Sequence, residues 1–198
     1  MDVLLASCTV LPEPDPDQLP TEAALRAAGL SVATAGWDDP SVPWADAGCV
    51  VLRATWTYPW DVDGFTAWLD STAAVTRLWN PAPVVRWNLH KRYLLDLLAA
   101  GLPTTPTEVL TAGTAASLPG ILALRGWSDV VVKPAVSAGS FRTMHVAPGD
   151  EDAGDAHLAE LLRERDVLVQ PYLPSVEDHG ERALIWIDGE VTHAVRKT

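Results

Sequence analysis

Residues 130–134, Val-Val-Val-Lys-Pro, form an apolar run that ends on Lys133 just before a proline. An ammonium group taken out of water without a counter-charge costs several kcal/mol. Lys133 therefore either snorkels to solvent or faces an anion. The next segment, from Val136 to Arg142, is small and polar and carries Ser137, Gly139 and Ser140. Its backbone N–H groups and two hydroxyls can fold over a phosphate, although an ordinary connection between two strands has the same composition. Residues 167–174, Val-Leu-Val-Gln-Pro-Tyr-Leu-Pro, read as a strand stopped by two prolines. A ladder interrupted in this way leaves backbone N–H and C=O groups that an adenine edge can read. Glu181 and Arg182 then open a hairpin whose return strand ends in Arg196 and Lys197. Counting from a two-residue turn at Asp188 and Gly189 sets Glu181 opposite Arg196, a cross-strand ion pair. The same count puts Lys197 on the other face with Arg182 and His193.

The elements that must hold these residues are legible from periodicity. Val3 to Cys8, Leu30 to Ala35, Cys49 to Arg53 and Arg77 to Trp79 are short apolar runs separated by helical or irregular crossovers, as a parallel sheet covered on both faces requires. Helices are expected at 21–28 and 62–71. A strong helix is predicted over 88–100, closed by a left-handed Gly101, with the Pro-rich residues 80–83 ahead of it breaking regular structure. Beyond it come strands at 104–110, 130–134, 142–146 and 167–172, helices at 115–125 and 156–165, and the hairpin. The fold class is α/β: a Rossmann-like parallel-sheet domain followed by an incomplete α+β domain. Trp56 and Trp60 stand after the third strand, at the carboxyl end of the sheet, where open α/β folds place ligands. Trp68 and Trp186 are expected in the core.

Composition limits the partners. The 198 residues carry 26 acids against 14 Lys and Arg, a net charge of -12. This disfavours a nucleic-acid backbone and an anionic membrane surface. No apolar run approaches the roughly 20 residues of a membrane span, and no basic segment precedes the first one, so a cytoplasmic protein is expected. Cys8 and Cys49 are expected to be reduced and apart, one ending its strand and the other beginning one. Residues 91–198 hold 10 of the 14 bases, enough to gather around one small polyanion. Signatures for dehydrogenases, P-loop NTPases, serine hydrolases and zinc enzymes are absent from the sequence.

Taken in order, the motifs resemble the ATP-grasp superfamily: Asn-Leu-His-Lys ending at Lys91, the Gly101 to Thr107 segment, Val-Val-Lys-Pro at 131–134, Ser-Ala-Gly-Ser at 137–140, Val-Leu-Val-Gln-Pro-Tyr-Leu at 167–173 and Gly-Glu at 180–181. The chain is most similar to single-chain ligases of the D-cycloserine-forming kind and, more distantly, to glutathione synthetase and D-alanine–D-alanine ligase. Arg53 to Tyr58 resembles that group's Arg-x-Thr-Trp-Asp-Tyr segment, with Thr57 where the pattern carries Asp. The resemblance implies that Lys91 and Lys133 hold ATP phosphates and that the loop with Ser137, Gly139 and Ser140 is a lid over the γ-phosphate. It implies that Gln170 and the Leu173 backbone meet adenine and that Glu181 accepts the ribose hydroxyls. Arg182 and Lys197 are then the candidate catalytic residues, and Arg53, Trp56 and Tyr58 contact substrate.

The implied chemistry is ATP-dependent ligation, carboxylate–amine or cyclising, of a small amino-acid-like substrate through an acyl phosphate. A non-catalytic nucleotide-binding module is the alternative. Mg²⁺ is the expected companion of ATP, with ligands expected past Thr198, so the sequence reads as the first two-thirds of a ligase. The expected divisions are 1–88 for the α/β domain, 89–165 for a linker helix and lid subdomain, and 166–198 for the start of the core subdomain. Homodimerisation is left open.

Overall fold

The structure, a computed structural model, describes residues 1–197, with side chains through Arg196. Strand β1 (Val3–Ser7) is buried along its whole length. It lies between β2 (Val32–Gly36) and β3 (Cys49–Ala54), with β4 (Arg77–Trp79) beyond β3 and every pairing parallel. Alternate residues of β1 serve different cores. Leu4 and Ala6 pack with Val50, Phe65, Trp68 and Leu69, whereas Val3 and Leu5 pack with Val32 and Leu25. Leu25 comes from α1 (Gln18–Ala27), and Phe65, Trp68 and Leu69 come from α2 (Val62–Val75). Because both faces are covered, the strand sequences are continuously apolar rather than alternating. In α2 the buried side chains Phe65, Trp68, Leu69 and Thr72 fall at helical spacing, and the Asp61 carboxylate caps the first turn by accepting from the Gly64 N–H at 2.9 Å. The cysteines are free. Cys8 is buried, its thiol donating to the Ala54 carbonyl at 3.1 Å.

The single helix predicted over 88–100 is two. Helix α3 (Ala82–Leu89) begins inside the supposed breaker, with proline in its first turn, where no backbone N–H is needed. Helix α4 (Tyr93–Ala99) runs on to Gly101, whose φ of 80° matches the expected left-handed stop. Between them the Lys91 N–H leaves the helical ladder and donates to the Ala135 carbonyl at 2.9 Å.

The second sheet is antiparallel: β5 (Glu108–Leu110), β8 (Val167–Pro171), β6 (Val130–Pro134) and β7 (Met144–Val146) in spatial order. Helices α5 (Leu118–Arg125) and α6 (Glu151–Leu162) cover one face, packing Leu118, Leu122, Leu158 and Leu161 onto Val130, Val132, Val146, Val167 and Val169. Gly154 is required there, since a Cβ would come within 2.6 Å of a Leu118 methyl and 2.7 Å of a Val146 methyl. Strand β7 starts two residues later than expected because Ser140 and Arg142 hold φ of 57° and 50°, outside any strand.

After β8 the expected turn is a short helix, α7 (Ser175–His179), and β9 (Glu181–Ile187) pairs with β10 (Glu190–Lys197) as a separate two-stranded sheet. The turn at Asp188 and Gly189 has the expected positive φ values of 51° and 87°. The register does not follow the simple count. A bulge between Val191 and His193 shifts the pairing, so Arg196 lies opposite Arg182 and the Lys197 backbone opposite Glu181. The Thr192 hydroxyl, which donates to the Ile185 carbonyl at 3.2 Å, sits at this bulge. The expected Glu181–Arg196 pairing is thereby replaced, and the expected face of the Lys197 side chain lies outside the described residues. Trp186 is 67% exposed rather than in a core, because no buried core cluster reaches the hairpin among the described residues.

Candidate functional site

Strand β6 alternates. Val130, Val132 and Pro134 are buried on the helix-covered side, which leaves Val131 and Lys133 on the opposite face. On β8 the partner of Lys133 is Leu168 and that of Val131 is Gln170, so Gln170 shares the face that carries Lys133. Lys91 reaches the end of this strand pair because the break between α3 and α4 is tied to Ala135. Its ammonium donates to the Ser137 carbonyl and, at 3.1 Å, to the Ser137 hydroxyl. Both lysines are half-buried. Burial, followed by repulsion from Lys133, pulls the pKa of Lys91 down to about 8, and burial also lowers that of Lys133. Two mutually repelling, partly desolvated ammonium groups are an arrangement that a bound polyanion relieves.

The loop after β6 is held at both ends and open in the middle. Ser137 is buried and takes hydrogen bonds on its carbonyl from Lys91 and, at 3.2 Å, from the Tyr58 hydroxyl. At the far end Arg142 is ion-paired with Glu160 of α6, and its carbonyl meets His157 Nε2 at 2.9 Å. Gly139 and Ser140 between them are exposed and hold left-handed backbone, φ 56° and 57°. A loop anchored in this way presents its central N–H groups without ordering its whole length.

The remaining expected residues divide. The Gln170 side chain is buried and donates to the Thr107 hydroxyl at 2.7 Å. Leu173 is exposed, its carbonyl accepting from the Val176 N–H at 3.0 Å. Glu181 and Arg182 are exposed at the start of β9. The Lys197 side chain lies outside the described residues. Arg182 stands opposite Arg196, a like-charge cross-strand pair that costs stability unless an anion or another acceptor is near. The Arg196 guanidinium meets the Asp178 carbonyl at 3.5 Å.

On the parallel-sheet side an open cleft of about 890 Å³ is lined by the acidic 12–17 loop, Arg53, Trp56, Trp60, Gly139 and Phe141. It joins the carboxyl end of the first sheet to the lid loop, the expected place for a ligand in an open α/β sheet. Arg53, at the edge of this cleft, is ion-paired: Asp15, whose side chain is 6% exposed, lies 3.2 Å from the guanidinium, and Asp17 is 3.6 Å away. Tyr58 faces the lid rather than the open cleft, and burial raises its pKa. Thr57 is a core residue. Its hydroxyl accepts from the Trp37 indole at 3.1 Å and meets the Cys8 sulfur at 3.1 Å.

Three contacts are not foreseen from the sequence. Asp166 and His90 meet at 3.1 Å beside Lys91. Thr107 orients Gln170. His145, which is opposite Val131 and so on the Lys133 face, stacks on Tyr172 with centroids 3.9 Å apart. Each joins residues distant in sequence; His90 and Thr107 stand in the quoted motifs, but no local pattern marks their partners.

An α/β unit followed by a one-sided antiparallel sheet with a lysine pair at its rim is an ATP-grasp arrangement. The fold aligns with the RimK-domain ATP-grasp protein of Sphaerobacter thermophilus at a TM-score of 0.64 and 24% identity, covering 88% of this chain and 64% of that one. Residues 3–80 match the family model of the D-cycloserine synthetase DcsG N-terminal domain. The chain is 36% identical over 187 residues to the cycloserine biosynthesis protein DcsG of Streptomyces lavendulae, across 92% of this chain and 62% of that protein. The crystal structure of D-cycloserine synthetase DcsG superposes with a TM-score of 0.93 at 35% identity, covering 100% of this chain and 68% of that one. The chain belongs to the DcsG family of the ATP-grasp superfamily. It spans about two-thirds of the length of these DcsG relatives.

Proposed function

We propose that the complete protein is an ATP-dependent ligase acting on a small amino-acid-like molecule in the cytoplasm. In this reading a carboxylate-type oxygen of the substrate attacks the γ-phosphorus of ATP and ADP leaves. An amine, from a second molecule or the same one, then displaces phosphate from the acyl phosphate and loses a proton. The observation that carries the reading is the convergence of two half-buried ammonium groups, Lys91 and Lys133, at the foot of the 137–142 loop.

Lys91 and Lys133 hold phosphates, and the loop with Ser137, Gly139 and Ser140 closes over them. Gln170 and the Leu173 backbone meet adenine, Glu181 takes the ribose hydroxyls, and Arg182 with Lys197 faces the transferred phosphoryl group. Trp56, with the Arg53 and Tyr58 framework, bounds the substrate side. No protein nucleophile takes part, so catalysis consists of positioning and charge compensation. The likeness to a D-cycloserine synthetase supports the amino-acid-like substrate and the cyclising form of the reaction. The domain divisions at residues 88 and 165 are part of the same proposal; because β8 pairs with both β5 and β6, the second division runs within one sheet.

Mg²⁺ accompanies ATP in this proposal. Among the described residues no group of three or more His, Cys, Asp or Glu side chains gathers to hold a metal, and no step is assigned to it. The ligands expected past Thr198 lie outside the described residues. The test is ATP binding and phosphate release by the complete protein with Mg²⁺ and candidate amino-acid-like substrates. Lys133→Ala is expected to abolish turnover; turnover that survives this change rejects the phosphate assignment. ATP binding with no turnover across the substrate set would instead support a nucleotide-binding module.

A further inference from the structure

Residues 90–92, the break between α3 and α4, are fixed at three consecutive positions. The His90 imidazole meets Asp166 Oδ2 at 3.1 Å, the Lys91 N–H donates to the Ala135 carbonyl at 2.9 Å, and the Arg92 N–H donates to His90 Nδ1 at 3.0 Å. Since Nδ1 accepts a hydrogen bond from a backbone N–H, the ring proton is on Nε2 and is donated to Asp166. Asp166 itself is a junction. Its other carboxylate oxygen accepts from the Ala112 N–H at 2.8 Å, just past β5, and its carbonyl accepts from the Ala135 N–H at 2.8 Å, at the end of β6. One residue at the start of β8 thus ties together the ends of β5 and β6 and the helix break that carries Lys91.

We infer that Asp166, acting through His90, is a positioning residue for Lys91. It holds the 90–92 break against the end of β6, so that the Lys91 ammonium enters the phosphate site beside Lys133. The inference rests on the reading of Lys91 as a phosphate ligand. Without the Asp166–His90 contact the break keeps its backbone bond to Ala135 and the Lys91 side-chain bonds to Ser137, but the residue next to Lys91 is no longer tied to the start of β8 and the helix ends can shift relative to the strand. A cation must be placed to within about half an ångström to serve a fixed charge, so the loss falls on affinity for phosphate and not for the base.

The test is a double-mutant cycle in the complete protein, reading equilibrium affinity for ATP and for adenosine. Asp166→Ala is expected to weaken ATP binding about tenfold, the scale of a lost hydrogen bond to a charged group, and to leave adenosine affinity unchanged. In a Lys91→Ala background the same change is expected to cost nothing further for ATP. His90→Gln keeps an N–H donor and should retain most of the affinity, whereas His90→Ala should behave like Asp166→Ala. If Asp166→Ala does not fold, the His90 pair of variants carries the cycle. Additive effects of Asp166 and Lys91, equal losses for ATP and adenosine, or equal behaviour of the two His90 variants overturn the positioning role. Undiminished ATP affinity in Lys91→Ala alone overturns instead the phosphate-site reading beneath it.

Discussion

The two sheets solve the same burial problem in opposite ways, and the difference locates the site. The parallel sheet β2-β1-β3-β4 is apolar on both faces, with Leu4 and Ala6 feeding one core and Val3 and Leu5 another. It has no face left for a ligand and works through the loops at its carboxyl edge, where Arg53, Trp56 and Trp60 line the cleft. The antiparallel sheet β5-β8-β6-β7 is covered by helices on one side, and its other face carries Lys133 and Gln170. One sheet is scaffold throughout. In the proposed function the other is half scaffold and half binding surface, so substitutions in the two should separate stability from ligand affinity.

The sharpest test of that contrast is Phe65→Ala. Phe65 is wholly buried between Trp37, Tyr58 and Trp68, with ring centroids at 5.1 to 5.5 Å. Its truncation is expected to lower stability by about 3–5 kcal/mol, read by urea unfolding, while nucleotide affinity of the folded fraction stays within twofold. A large loss of affinity would mean that the first sheet is more than scaffold. Lys133→Met should do the reverse. An apolar side chain of similar length on the open face is expected to raise stability by about 1 kcal/mol and to weaken ATP binding by roughly a hundredfold, a charged phosphate contact being worth about 1.5–3 kcal/mol. Loss of both stability and affinity would make Lys133 structural.

The depressed pKa of Lys91 sharpens the contrast through pH. In the free protein, stability should rise from about pH 8 toward the ordinary lysine value, because over that window the unfolded chain binds a proton that the folded chain does not. ATP affinity should move the other way, falling as pH rises above about 8, since binding must then take up a proton at Lys91. Calorimetry in two buffers of different ionisation enthalpy reads that uptake directly, and Lys91→Ala should abolish it. The smallest expected effect joins the two regions. Tyr58→Phe removes the hydroxyl bonded to the Ser137 carbonyl. It should cost about 1 kcal/mol of stability and increase hydrogen exchange in the 137–142 loop, leaving exchange in β1 unchanged.

The legible and illegible parts of the fold divide along the same line. The strands were readable because their burial patterns are local, and the hairpin turn because Asp-Gly satisfies two positive φ values at once. The ordered lysine motifs carried the superfamily likeness. The hairpin register was misread because a bulge adds one residue to one strand without any marker in composition. Trp186 is expected in a core from its place in the hairpin, but burial also needs a second layer to pack against. Arg53 and Tyr58, the expected substrate contacts, also hold protein partners that no local pattern marks, Asp15 and Ser137.

What the sequence determined by itself was therefore the strands, most of the helices and the identity of the charged groups, since these follow from side-chain type and short-range periodicity. Tertiary structure alone decided where those charges act. The helix breaks at Lys91 because its N–H finds the Ala135 carbonyl, and its ammonium reaches Ser137 only once that break is in place. Such partners are far apart along the chain, and their hydrogen bonds exist only after the second sheet has closed.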